Sequence, residues 1–245
     1  MLTITNLHQG YGRNTVIEGL NLTMGRGLHA LLGPNGAGKS TFLRTLATIL
    51  PPRLGQIQLD GIELHRNSLE QIRRRIGYLP QQFGFDPAMT VSEFTCYAAW
   101  ARGVPRPVRG AAVEEALDKV GLCDRRDEKM RKLSGGMVRR AGIAWAIVGN
   151  PSLILLDEPT VGLDPMQRIN FRSIISQQRD AVIVLSTHLT DDVDAMADHV
   201  VVLDEGGVRF QGTPPELAEQ ADASSPGNTP LERGYTTLLA DSQER

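Results

Sequence analysis

Only two cysteines, Cys96 and Cys123, occur among 245 residues. That excludes a disulfide scaffold and suits a reducing compartment, where each thiol packs as a small hydrophobe. Aromatic residues make up 5% of the chain, too few for a stacking platform along single-stranded nucleic acid. The net charge is −2, so there is no bulk basic surface to meet a phosphate backbone. Long apolar runs are absent too. The strongest, Ala141 to Gly149, reaches half of the ~18 residues that a membrane-spanning helix needs. The opening MLTITNLHQGYGR lacks the basic stretch and apolar core of a secretion signal. The chain is therefore expected in the cytosol, and at a membrane only if another chain holds it there. What is present is ordinary globular content. Apolar residues are 41% and charged residues 22%, enough at this length for one large α/β domain or two small ones.

Strand patterns occur at Leu2 to Leu7, Val16 to Met24, Leu28 to Leu32, Gly55 to Leu59 and Ile76 to Leu79. A helical stretch, Phe42 to Leu50, stops at Pro51 and Pro52. From about Gly84 to Gly149 the pattern turns helical, with Pro105 and Pro107 between the first two helices and a third opening at Ser134. Strands at Leu153 to Leu156, Ala181 to Ser186 and Val200 to Leu203 then alternate with helices at Arg168 to Gln178 and Thr190 to Ala197. That alternation predicts an α/β fold with a mainly parallel sheet and helices on its faces. The helical stretch at about 84–149 reads as an inserted subdomain of a main domain, 1–220. The remainder, 221–245, reads as a linker from Ala221 to Pro230 and a short terminal helix, Leu231 to Ala240.

Three motifs carry chemistry. Gly33-Pro34-Asn35-Gly36-Ala37-Gly38-Lys39-Ser40 follows a strand and opens a helix, the setting of a phosphate-cradling P-loop. Its glycines let the backbone turn N–H groups inward, and the helix adds its N-terminal dipole. Lys39 offers a full charge to the β- and γ-phosphates, and Ser40 a hydroxyl to Mg²⁺. In the second motif the apolar strand Leu153 to Leu156 ends in Asp157, Glu158 and Pro159. Two carboxylates thus stand at the carboxyl end of a buried strand, where open α/β sheets bind ligands. Asp157 can hold Mg²⁺ through its water shell, and Glu158, pointing elsewhere, can reach an attacking water. Alone, the pair also reads as an acidic capping turn. The third motif is Leu133-Ser134-Gly135-Gly136-Met137. Ser134 suits an N-cap, and the glycines leave a helix N-terminus open to an anion; alone, it also reads as an ordinary capped helix. His188, in LSTHL, follows a strand and shares its rim with Asp157 and Ser40. His8, His29, His65 and His199 have no partner pattern and read as structural or exposed. The run Arg73 to Arg75 reads as the solvated face of a helix end.

In this order and spacing, the motifs resemble the nucleotide-binding subunit of an ABC transporter over nearly the whole chain, Leu2 to Gly212. The resemblance implies a P-loop NTPase core with a mainly parallel sheet, an antiparallel β subdomain near the N-terminus and an inserted α-helical subdomain. It implies ATP and Mg²⁺ as ligands, with the nucleotide held by Gly33 through Ser40 and by Thr41. It matches Tyr11 to the aromatic that stacks on adenine, and Gln81 to the glutamine that contacts Mg²⁺ and senses the γ-phosphate, with Gln82 its immediate rival. Ser134, Gly135 and Gly136 match the signature that completes the ATP site of the opposite subunit. Asp164, in VGLDP, matches the loop that crosses the dimer interface, and His188 the γ-phosphate contact. Lys39, Gln81, Glu158 and His188 are thus the expected catalytic residues, and Ser40, Gln81 and Asp157 the expected metal ligands. Met137 departs from the family's usual Gln, which touches the ribose across the interface. A single cassette implies a second ATP-binding subunit, identical or paralogous, and a separate transmembrane permease at the cytoplasmic face of the membrane. The segment GFDPAMTVSEF and the tail TPLERGYTTLLAD resemble the ATPases of separately encoded exporters. The rival is a soluble ABC ATPase that moves no solute, such as an iron–sulfur assembly factor.

Overall fold

The computed structural model describes residues 1–222 and 225–243, the side chains of 241–243 excepted. In chain order it forms β1 (Leu2–Tyr11), β2 (Asn14–Met24), β3 (Gly27–Leu32), α1 (Lys39–Leu46), β4 (Leu54–Leu59), β5 (Ile62–Glu63), α2 (Leu69–Arg73) and β6 (Ile76–Leu79). Helices α3 (Val91–Ala101), α4 (Arg106–Lys119) and α5 (Gly135–Ile147) follow. The chain then alternates through β7 (Leu153–Asp157), α6 (Pro165–Ser176), β8 (Val182–Thr187), α7 (Thr190–Met196) and β9 (His199–Asp204). It ends with β10 (Gly207–Gly212), α8 (Pro214–Ala218) and α9 (Pro230–Gln243).

Two sheets result. One is antiparallel, in the order β2-β1-β4-β5; the other runs β10-β9-β3-β8-β7-β6. All neighbours in the second sheet are parallel except β10, which pairs antiparallel with β9. Its central strands β3, β7 and β8 are buried at every position, as a sheet covered on both faces requires. Side chains alternate across it. Leu31, Leu155 and Val184 join one core with Phe42 of α1 and with Leu2 and Ile17 of the antiparallel sheet. Ala30, Leu32, Leu156 and Leu185 join the other, with Phe94, Leu117 and Ile143 of the three-helix segment. The helices therefore share their core with the sheet. Arg102, just past α3, fastens them to it: it is buried and donates to the main-chain oxygens of Ile76, Val148 and Trp145. Burial pushes its pKa down to about 10.

Several elements differ from the sequence pattern. β1 runs on to Tyr11 because register shifts between Ile4 and Gly10 let the hairpin continue past the irregular stretch. α6 starts at Pro165, three residues early, since Asp164 caps it by accepting the Gln167 N–H at 2.9 Å. β5, α2, β10 and α8 carry no pattern that separates them from turns. The tail is docked: Leu231 of α9 is buried in the helical core, and a Cβ on Gly234 would lie 1.9 Å from the Leu217 carbonyl oxygen. Of the linker, Ala223 and Ser224 lie outside the described residues, as do Glu244 and Arg245 at the end. Arg73 and Arg74 are exposed at the end of α2, and the Arg73 guanidinium also donates to Thr48 Oγ1 at 2.8 Å. His29, which is buried, stacks on His199 at 4.9 Å between ring centroids.

Candidate functional site

The loop from Gly33 to Gly38 leaves the carboxyl end of β3 and enters α1. A side chain on Gly33 would put Cβ 2.2 Å from the Leu203 carbonyl oxygen, and Gly38 has φ +99°. Both positions therefore demand glycine, one by close approach and the other by backbone conformation. The turn so formed folds Lys39 back over the loop, where Nζ donates to the carbonyl oxygens of Gly33 at 2.6 Å and Pro34 at 3.0 Å. Lys39 is 6% exposed. Burial lowers its pKa, while the carboxylates of Glu158 and Asp157 pull it up.

Ser40, one residue on, donates its hydroxyl to Asp157 Oδ1 at 3.1 Å. Ser186, at the end of β8, donates to the same oxygen at 2.7 Å. Both strands deliver these groups to their carboxyl ends because β7 and β8 run parallel with Asp157 opposite Ser186. Glu158 follows in the left-handed region at φ +47°, a conformation that costs a non-glycine residue ~1 kcal/mol or more. Its N–H is held by Ser186 Oγ at 2.9 Å. Its carboxylate, from a residue only 7% exposed, lies 2.9 Å from His188 Nδ1.

An open cleft of about 320 Å³ lies beside them, lined by Asn35, Gly36, Gly38, Lys39, Ser40 and Thr41 together with Val16, Gln81 and Glu158. Gln81 lines it and Gln82 does not. Tyr11 is half-exposed and lies outside the lining residues. Tyr11 lies beside Arg44 and helps to raise the pKa of that guanidinium. Ser134 and Gly135 are exposed at the start of α5, away from the cleft. Ser134 Oγ caps the helix, accepting the Met137 N–H at 3.3 Å. Asp164 is exposed as well, and the large apolar side chains of Val161, Met166 and Ile169 are exposed around it. One chain thus assembles Lys39, Ser40, Gln81, Asp157, Glu158 and His188, and leaves the signature residues and Asp164 facing solvent.

The ABC transporter family matches over residues 17–161. The chain belongs to that family. A linearmycin resistance ATP-binding protein of Bacillus subtilis is 30% identical over 223 residues, covering 90% of this chain and 71% of that one. A Nod factor export ATP-binding protein I of Ralstonia nicotianae is 36% identical, covering 89% and 68%. A solved ATP-binding subunit of an ABC transporter superposes with a TM-score of 0.83 at 28% identity, covering 99% of each chain. The family's ATP-binding fold is therefore the one described.

Three residues at or beside the cleft of this ABC cassette go unmarked in the sequence pattern. Val16 lines the cleft from β2, where a strand pattern marks it only as core. Ser186 was hidden in the strand AVIVLST, although a hydroxyl among apolar residues was a usable signal. Arg139 carried no signal at all.

Proposed function

We propose that this chain hydrolyses ATP as the ATP-binding subunit of an exporter, driving a separate transmembrane permease from the cytoplasmic face of the membrane. The observation that carries the reading is that Lys39, Ser40, Gln81 and Glu158 line one cleft, with Asp157 bonded to Ser40 and His188 to Glu158, while Ser134 and Asp164 face solvent. The cleft suits the phosphates of ATP, and the exposed residues suit a second subunit. The functions in the relatives' names, linearmycin resistance and Nod factor export, support export as the direction.

In this reading Lys39 leaves its two carbonyl partners to hold the β- and γ-phosphates. The loop N–H groups, oriented before the reaction, stabilise the charge that develops there. Ser40, Asp157 and Gln81 present oxygen donors in the same cleft, which fits a hard divalent cation. When bound, Mg²⁺ would supply neutralisation of phosphate charge. Glu158 orients and deprotonates the attacking water, and His188 sets the carboxylate by its contact through Nδ1. Tyr11 stacks on the adenine. Two copies, or one copy and a paralogue, sandwich each ATP between the Gly33–Ser40 loop of one and Ser134, Gly135 and Gly136 of the other. Asp164 crosses between them, with Val161, Met166 and Ile169 covered in the process.

Ser134→Arg tests the shared site. The variant keeps an intact P-loop, so it binds ATP as the wild type does by isothermal titration. The bulky cation at the mouth of α5 prevents the second subunit's nucleotide from docking, and turnover is lost. Wild-type turnover in this variant would sink the composite site. Met137→Gln addresses the departure from the usual signature. Met137 is half-buried in a groove lined by Leu163, Phe171 and Ile174, so a Gln gains a cross-interface hydrogen bond while giving up apolar contact. ATP-driven dimerisation, measured by analytical ultracentrifugation, is expected to tighten by no more than ~1.5 kcal/mol, the ceiling for one neutral hydrogen bond. Weaker dimerisation would show that packing of Met137 outweighs that bond.

A further inference from the structure

Arg139 is a half-buried cation with no carboxylate in ion-pair contact among the described residues. It instead donates to three main-chain oxygens: Nε to Pro159 at 2.9 Å, Nη2 to Glu158 at 2.8 Å and Nη1 to Gln81 at 3.1 Å. The three acceptors belong to two loops far apart in sequence. One is the turn that places the Glu158 carboxylate in the cleft; the other is the stretch after β6 that brings Gln81 to the same cleft. Arg139 itself stands on α5, five residues beyond Ser134. Its planar fork can hold several carbonyls at fixed angles, which a point-charge ammonium cannot.

Two further features point the same way. Glu158 sits in the left-handed region, which turns its carbonyl off the line of β7, and that displaced carbonyl is one that Arg139 takes. Three residues after Arg139 on the same face of α5, a Cβ on Gly142 would come within 2.7 Å of the Phe83 ring and 2.8 Å of Leu79 Cδ1. The helix therefore presses on both ends of the Gln81 stretch, through a hydrogen-bonded arginine and through a glycine that permits close approach.

We infer that Arg139 is a positioning residue that holds the Glu158 turn and the Gln81 stretch in register with the signature helix. Docking of Ser134 on a second copy's nucleotide is then felt at this chain's own Glu158, through α5 and the Arg139 hydrogen bond. This rests on the proposed role of Glu158 in hydrolysis. Arg139 makes no hydrogen bond or ion pair with the Gly33–Ser40 loop, so it sets turnover and not nucleotide affinity.

The test compares Arg139→Gln and Arg139→Lys with the wild type and with Glu158→Gln, in full-length protein with ATP and Mg²⁺. Arg139→Gln should lower kcat about 10- to 100-fold, the scale of a small misplacement of a reacting group, with ATP affinity within about twofold of wild type. Arg139→Lys, able to keep part of the carbonyl contacts, should fall between the two. It also carries the test if Arg139→Gln melts below the assay temperature. The double variant Glu158→Gln/Arg139→Gln should still form the ATP-dependent dimer, because Ser134 is untouched. A merely structural role would lower the melting temperature and leave the kcat of folded protein unchanged. An unchanged kcat in Arg139→Gln beside an inactive Glu158→Gln overturns the Arg139 proposal alone. Loss of dimerisation in the double variant also overturns it, since the defect would then lie at Ser134. Wild-type turnover in Glu158→Gln brings down both this proposal and the reading on which it rests.

Discussion

Glu158→Gln is expected to bind ATP as the wild type does and to hydrolyse it roughly 10²- to 10⁴-fold more slowly, the usual loss when general-base assistance is removed. The geometry separates the two effects. Ser40 and Ser186 hold Asp157 Oδ1, and Lys39 is fixed by Gly33 and Pro34; none of these contacts uses the Glu158 carboxylate. Gln keeps the volume and the main-chain bond to Ser186, so the turn survives. What changes is the group 2.9 Å from His188, which no longer accepts a proton. Binding energy that hydrolysis would release then holds the subunits together, and the variant should elute as a dimer from a sizing column in millimolar ATP at low salt. Steady-state turnover decides the matter. A rate within about threefold of wild type would remove Glu158 from the mechanism, since general-base loss is far larger.

The second large effect is at Lys39. Lys39→Ala should weaken ATP binding about 10- to 100-fold and abolish measurable turnover, because one charge-assisted contact to phosphate is worth ~1.5–3 kcal/mol. The ammonium is already partly desolvated, since Lys39 is 6% exposed, so it needs little further dehydration to meet a phosphate. It is also pre-aimed, lying across the loop on two carbonyl oxygens. Isothermal titration with ATP and Mg²⁺ measures the loss, and a thermal melt without nucleotide controls for folding. Unchanged affinity would mean that the Gly33–Ser40 loop does not hold the phosphates.

The parts of the site that sequence alone determined are those carried by neighbours in the chain. Gly33, Gly38 and Lys39 announce a phosphate cradle because only glycine tolerates the close approach and left-handed backbone that the turn needs. The buried strand ending in Asp157 places its carboxylate at the sheet's rim without reference to any other segment. Parallel pairing was legible from the alternation of strand and helix, because a parallel crossover needs a connection as long as a helix. Periodicity failed where an element is short or edge-lying. β5 and β10 bury one side at most, and α2 and α8 are five residues each, too short to show a helical stripe.

Only the tertiary structure decided which groups meet. Ser40 and Asp157 are 117 residues apart, and the register of β7 against β8 alone brings Ser186 to the same oxygen. It selected Gln81 over Gln82 for the cleft, and showed that Ser134 and Asp164 of the same chain stay outside it. Arg139 marks the limit of reading a sequence. Its partners are main-chain oxygens, which every residue carries, so no residue type could have announced them. A side chain that recognises backbone is written only in the fold.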